Sequence, residues 1–229
     1  TPTPMPSPAD TLIIAPTVTP TPISIWKPIV TIATNVPSPS PVAEYKEPIR
    51  LDPGSPDTYY NRGNVYYTLG QPKQQIEEYE RAIELDPGSA NAYYNRGNMD
   101  YYRSQHEQAI EDYDEAIRLD PGHALAYHNR GLSYANIGQH HRAIEDYDEA
   151  IRLDPGLVPA YGNRGVAYYD LGSQQGNVIP TQLQRAIQDL DEAIRLNPKY
   201  TGAYYNRGLA YDDLGQRQQA IEDYDEAIR

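Results

Sequence analysis

Five asparagines stand at one recurring place in this chain, Asn61, Asn95, Asn129, Asn163 and Asn206, each followed by Arg and then Gly. A carboxamide carries two donor hydrogens and an acceptor oxygen. A row of carboxamides can therefore satisfy the backbone of an extended chain without reading its side chains. Tyr60, Tyr94, His128 and Tyr205 immediately precede four of the five, and Asn64, Asn98, Tyr67 and Tyr101 follow the first two at helical spacing, with Tyr102 and Tyr169 in the same neighbourhood. Aromatic-lined surfaces favour Pro-rich ligands, whose polyproline II shape costs little entropy to bind. Tyr with Asn also suits sugar faces and hydroxyls. A plainer reading stays open: Asn-Arg-Gly caps and packs a helix in a recently duplicated array.

Other candidate chemistry falls away. His140 and His141 are adjacent, so on a helix they point about 100° apart and cannot share a metal. Asp146 and Asp148 form Asp-x-Asp, but the glycine and bidentate glutamate of a calcium loop are missing. No glycine-rich phosphate loop, nucleophile elbow or zinc spacing is present. With no cysteine, disulfides and thiol chemistry are excluded too. The expectation is a non-catalytic chain with no metal and no cofactor. Its 32 acidic and 19 basic residues give a net charge of -13, which repels phosphate backbones, so nucleic acid is not the expected partner. No apolar run is long enough for a transmembrane span.

The elements that position the asparagines follow from the spacing of the glycines Gly63, Gly97, Gly131, Gly165 and Gly208: 34, 34, 34 and 43 residues. A fixed period of this size means stacked copies of one supersecondary unit. Each unit reads as two amphipathic helices. In the second, helix A falls near Asn91 to Ser104 and helix B near Glu107 to Leu119, with Tyr113, Ala116 and Ile117 on one apolar stripe. Asp120-Pro121-Gly122 closes helix B, since Pro disfavours helix at the residue before it and Gly accepts positive φ. The acid-rich runs of helix B, such as Glu145 to Glu149, read as a solvated convex face. Each Arg of the tripeptide, beside such a run, reads as an inter-repeat ion-pair partner.

These units resemble the tetratricopeptide repeat family. The match is carried by the aromatics Tyr59, Tyr93, Tyr127, Tyr161 and Tyr204, the glycines four residues later, and the turn glycines Gly70, Gly138, Gly172 and Gly215. The helix-B alanines Ala82, Ala116, Ala150, Ala193 and Ala227 and the closing prolines Pro53, Pro87, Pro121, Pro155 and Pro198 complete it. Asp100, Ser104, Gln75 and Leu190 depart from the pattern, so the second unit is expected to pack less tightly. The resemblance implies an all-α, right-handed solenoid of five helix pairs: 56–89, 90–123, 124–157, 158–200 and 201–229. It also implies that helix A lines a concave groove in which the Asn ladder holds a ligand's backbone. The inward places hold Tyr, Asn and Leu rather than Lys or Arg, which disfavours binding of acidic C-terminal peptides.

Outside the regular units, residues 43–55 resemble a lone helix B, a half-repeat interrupted by Pro48. The fourth unit carries nine extra residues near 173–185, reading as a loop with Thr181 as the N-cap of helix B. Function and tolerated drift both remain open for this insertion. The fifth helix B ends at Arg229 without a polar capping helix, leaving Ile221, Tyr224 and Ile228 as a bare apolar stripe unless a partner or further chain covers it.

Residues 1–42 are a Pro/Thr/Ser-rich arm, expected to be extended. Trp26, flanked by Ile25 and Ile29, is its natural docking anchor. Thr1, Thr3, Thr17, Thr19, Thr21, Ser38 and Ser40 beside Pro suit O-glycosylation of a stalk. The leading expectation is a protein-interaction scaffold for an extended peptide. That peptide could be the arm of another copy, giving a homo-oligomer or filament by end-to-end stacking. The alternatives are a monomeric cell-envelope adaptor on a glycosylated stalk and a regulatory fragment of a larger protein. An extracellular or cell-envelope location is expected, with the cytoplasm open.

Overall fold

A computed structural model of the chain describes residues 54–174 and 177–229. The arm, the half-repeat up to Pro53, the anchor at Ile25, Trp26 and Ile29 and the glycosylation candidates lie outside the described residues.

Among the described residues, ten helices follow in pairs. The A helices are α1 (Pro56–Thr68), α3 (Ala90–Tyr102), α5 (Ala124–Asn136), α7 (Val158–Gly172) and α9 (Thr201–Asp213). Their B partners are α2 (Pro72–Leu85), α4 (His106–Leu119), α6 (His140–Leu153), α8 (Pro180–Leu196) and α10 (Arg217–Ile228). Each helix packs on its neighbours in sequence, and the A helices of successive repeats also touch: α3 with α5, α5 with α7, α7 with α9. This is an all-α solenoid whose core is a layer shared between consecutive pairs rather than one central cluster. Tyr79, Tyr113 and Tyr147 of the B helices are fully enclosed, with Ala82, Ala116, Ala150 and Ala193 beside them. The second unit is closed as well: Tyr113 and Ala116 have no exposed surface.

The central glycine of each A helix makes this packing feasible. A Cβ on Gly97 would sit 2.9 Å from a Tyr113 ring carbon, and on Gly131 2.8 Å from Tyr147. The ring of helix B therefore rests directly on the backbone of helix A. In the fourth unit Leu190 takes the place of the ring, still 2.9 Å from that point on Gly165.

The turn between A and B needs a left-handed residue, filled by Gly70, Gly138 and Gly215 at φ 64°, 76° and 74°. Ser104 adopts the same conformation at φ 61°. Gly172 does not serve as this turn. α7 continues through it, and its missing side chain admits Leu183 of α8. The insertion then forms a short antiparallel hairpin, β1 (Ser173–Gln174) with β2 (Asn177–Val178), pairing Ser173 with Val178. α8 begins at Pro180 with Ile179 before it, so Thr181 is inside the first turn and is not the cap.

Helix B ends differently from the sequence expectation. Asp86, Asp120 and Asp154 turn extended ahead of Pro, and each carboxylate accepts the N–H of the glycine two residues on, at 2.9–3.0 Å. None of Gly88, Gly122 or Gly156 has positive φ. The side-chain turn closes the helix, and for that reason Asn197 ends α8 with Lys199 in the glycine's place, the Lys199 N–H donating to Asn197 Oδ1 at 3.1 Å.

Candidate peptide groove

The five arginines build a repeated staple on one side of the A helices. Arg96 Nε and Nη2 grip both oxygens of Asp112 at 2.8 and 2.6 Å. Arg130 holds Asp146, Arg164 holds Asp189 and Arg207 holds Asp223 in the same fork. Each of these acids is on helix B of the arginine's own repeat. The inter-repeat bond is a second one, from Nη1 to the preceding helix B: Arg130 to Asp114, Arg164 to Asp148, Arg207 to Asp191. Arg62 reaches Glu78 at 2.6 Å. The acid runs are thus not wholly solvated, because Asp112, Asp146, Asp189 and Asp223 are buried beneath the guanidinium groups. Burial raises the Asp146 and Asp189 carboxyls above the usual range, against the pull of Arg130 and Arg164. Planar, bidentate pairing of this kind is the work of Arg and not of Lys.

The asparagines face the neighbouring A helix. Asn95 Nδ2 donates back across the joint to Tyr60 Oη at 3.1 Å and to Asn64 Oδ1 at 3.4 Å. Asn129 Nδ2 donates to Tyr94 Oη at 3.1 Å and to Asn98 Oδ1 at 2.8 Å. The acceptors Asn64 and Asn98 also take the buried hydroxyls of Tyr79 and Tyr113, each at 2.8 Å. At the next joint His128 stands between: Nδ1 is 2.9 Å from Asn129 Oδ1 and Nε2 is 3.0 Å from Asn163 Nδ2. An amide oxygen only accepts, so His128 carries its proton on Nδ1 and accepts from Asn163 on Nε2. Burial holds this imidazole neutral, its pKa depressed to about 4. The result is a line of hydrogen bonds running from α7 through α5 to α3 and α4.

This line divides the sequence-predicted site residues. Tyr94, Asn98, His128, Asn129 and Asn163 are buried. Tyr60, Asn64, Asn95, Tyr101, Tyr205 and Asn206 are partly exposed, and Asn61 is exposed. Tyr67 and Tyr102 are open to solvent at 43% and 47%. Asn136, which the sequence reading did not single out, reaches Tyr101 Oη at 3.2 Å from an exposed position and continues the same pattern about two turns further along. Its signal was available, since Asn136 follows Tyr101 by the same 35 residues that separate Asn95 from Tyr60. Among the described residues no group of three or more His, Asp or Glu side chains is arranged to hold a metal, and no helix is long and apolar enough to cross a membrane.

Comparison with known proteins agrees with this geometry. A family model described as TPR repeat matches residues 97–138 and 182–215. Three models described as Tetratricopeptide repeat match 124–157 and 202–229, 56–89, and 78–111. No curated protein matches by sequence. Among solved structures, the MamA protein is 25% identical, with a TM-score of 0.66 over 76% of this chain and 90% of its own. MamA from Desulfovibrio magneticus RS-1, residues 41 to the end, is 18% identical at TM-score 0.68, covering 78% and 94%. YrrB is 22% identical at TM-score 0.64, covering 77% and 87%. With repeat models matching across residues 56–157 and 182–229, on a chain whose period and helix pairs are those described above, the chain belongs to the tetratricopeptide repeat family.

Proposed function

We propose that this chain is a non-catalytic interaction scaffold that holds an extended peptide along its A helices, and that the peptide is the Pro/Thr/Ser-rich arm of another copy. The observation that carries this is the aromatic and amide surface of the first two repeats. Tyr67 and Tyr102 stand exposed, and Asn61, Asn64 and Asn95 line the same helices. Such a surface suits a chain that is already extended and poor in backbone donors. The arm has eleven Pro in 42 residues and only two charges, Asp10 and Lys27, so it escapes the repulsion that this acidic body imposes on an acidic peptide. YrrB is described as a TPR protein with an unusual peptide-binding site; at its identity the likeness is one of fold, and the present reading rests on this chain's own residues. Binding an arm to the next copy is a heterologous contact, which propagates into a homo-oligomer or filament. Deleting residues 1–42 should abolish assemblies seen by electron microscopy and size-exclusion chromatography; assembly unchanged by the deletion sinks the arm-exchange reading.

A further inference from the structure

A cleft of about 400 Å³ opens at the turn between α5 and α6, lined by Gly138, Gln139, His140, His141, Arg142 and, from α7, Leu171. None of the asparagines of the ladder borders it. His140 spans the joint between the third and fourth repeats. Its Nδ1 is buried without a hydrogen bond, 3.7 Å from Asp170 Oδ2 on α7. A carboxylate only accepts, so the neutral ring is favoured with its proton on Nδ1, and Nε2 is left as an acceptor. No hydrogen bond among the described residues uses that acceptor. Arg142 is exposed, its guanidinium 5.4 Å from the Tyr134 ring centroid. Leu171 also begins the longest uncharged run between residues 54 and 229, which ends at Gln184. Within it Val178 and Ile179 are 41% and 39% exposed. The hairpin sets them beside the end of α7, with Ser173 paired to Val178 and the Ile179 N–H donating to the Gly172 carbonyl at 2.7 Å. The other turns lack this combination: Pro72, His106 and Arg217 stand where His140 does, followed two residues on by Gln74, Gln108 and Gln219 in place of Arg142.

Resting on the arm exchange proposed above, we propose that this cleft is the socket for Trp26 in the arm of another copy. Trp26 is the single Trp of the chain. An indole brings a large apolar body and one N–H that only donates. The cleft answers with Leu171 for the body, the His140 acceptor for the N–H and the Arg142 guanidinium for the ring face. Charge selects the same occupant. Lys27, the only cation of residues 1–42, is next to Trp26, and the Asp170 carboxylate beside His140 has a side chain 43% exposed. Ile25 and Ile29, on either side of Trp26 in the sequence, match the exposed Val178 and Ile179 at the uncharged rim. A Trp seated in a pocket is the kind of contact on which an interface concentrates its affinity. One socket and one Trp in each chain give each copy one arm to offer and one place to receive.

The test uses intact chains: the unaltered protein, Trp26→Ala and Arg142→Ala, followed by sedimentation velocity and by acrylamide quenching of indole fluorescence. With a single Trp, the fluorescence reports on Trp26 alone. In the unaltered protein the indole should become shielded from the quencher as concentration rises, in step with association. Trp26→Ala should weaken association at least about thirtyfold, as loss of an anchor residue does. Arg142→Ala should weaken it about tenfold, the loss of one cation–π contact, and return the indole to the quencher. Arg142 is exposed, so its circular-dichroism melt should not change. If the unaltered protein associates and both variants match it, the socket is overturned while arm exchange stands. If the chain stays monomeric with its indole open to quencher at every concentration, arm exchange fails and the socket with it. If it stays monomeric with a shielded indole that Arg142→Ala releases, the arm folds back on its own chain and exchange between copies is overturned.

Discussion

Asn129 and Tyr94, 35 residues apart in sequence, meet across the joint of α5 and α3 through a 3.1 Å hydrogen bond, inside the protein. The same carboxamide donates to Asn98 and accepts from His128. Every polar atom of a buried amide is therefore engaged, and truncation orphans its partners rather than itself. Asn129→Ala should cost about 1–3 kcal/mol, the penalty for leaving buried donors and acceptors unpaired. Asn206→Ala, which breaks no internal bond, should stay within about 0.5 kcal/mol. Urea denaturation of both variants checks the contrast.

His128 makes the line sensitive to acid. Its folded pKa of about 4 lies below the ordinary histidine value near 6.5. A proton on Nε2 would face the Asn163 amide hydrogens. Because the folded pKa is depressed, the unfolded chain binds this proton first. Stability is fully present above about pH 6.5 and falls as pH drops toward 4, by up to about 3 kcal/mol. His106 and His123 are also lowered by burial, so the wild-type slope is a sum. His128→Tyr, the residue found at the equivalent Tyr60, Tyr94 and Tyr205, should remove the His128 share. Denaturation midpoints of the two proteins at pH 7 and pH 4.5 measure it.

Two glycines of one repeat should respond very differently to the same substitution. Gly97→Ala drives a methyl to 2.9 Å from the Tyr113 ring, and that ring is enclosed on all sides. Overpacking of this kind costs about 1–3 kcal/mol. Gly122→Ala meets only the Asp120 carboxylate, at 3.3 Å, without positive φ. Its effect should be within about 0.5 kcal/mol. Thermal melts of the pair decide between a packing role and a backbone role.

That pair also shows where the sequence could and could not be read. The period, the helix pairs and the role of Gly97 follow from composition and spacing, because a ring on bare backbone needs glycine wherever it recurs. Gly122 was assigned positive φ on its residue type, yet Lys199 in the fourth unit already argues that this place needs none. The buried acids were missed for a related reason. Asp112 and Asp114 flank one tyrosine in a run that looks uniformly polar. Only the path of Arg96 and Arg130 separates the buried carboxylate from the exposed one. The Asn ladder reads as a binding surface until its partners one repeat upstream are set beside it. Three have a hydrogen-bonding residue there and Asn206 has glycine, a difference that becomes meaningful only once α7 and α9 are in contact.

Ser104 supplies the last test, in which two opposing magnitudes set the sign. It holds φ 61° in the turn between α3 and α4, where Gly70, Gly138 and Gly215 hold the equivalent turns. A left-handed conformation costs a residue with a Cβ about 1–2 kcal/mol. Glycine relieves that strain but gives the unfolded chain more freedom, a loss of about 0.4–1 kcal/mol. The exposed Ser104 side chain makes no hydrogen bond among the described residues that would be lost, and its N–H keeps its 2.9 Å bond to the Tyr101 carbonyl in either case. Ser104→Gly should therefore stabilise the protein by about 0.5–1 kcal/mol. Gly138→Ser, in the third repeat, should destabilise it by a similar amount. Equal and opposite shifts in the urea midpoints of the two variants are the expected result, and a destabilised Ser104→Gly would show that the turn is not strained.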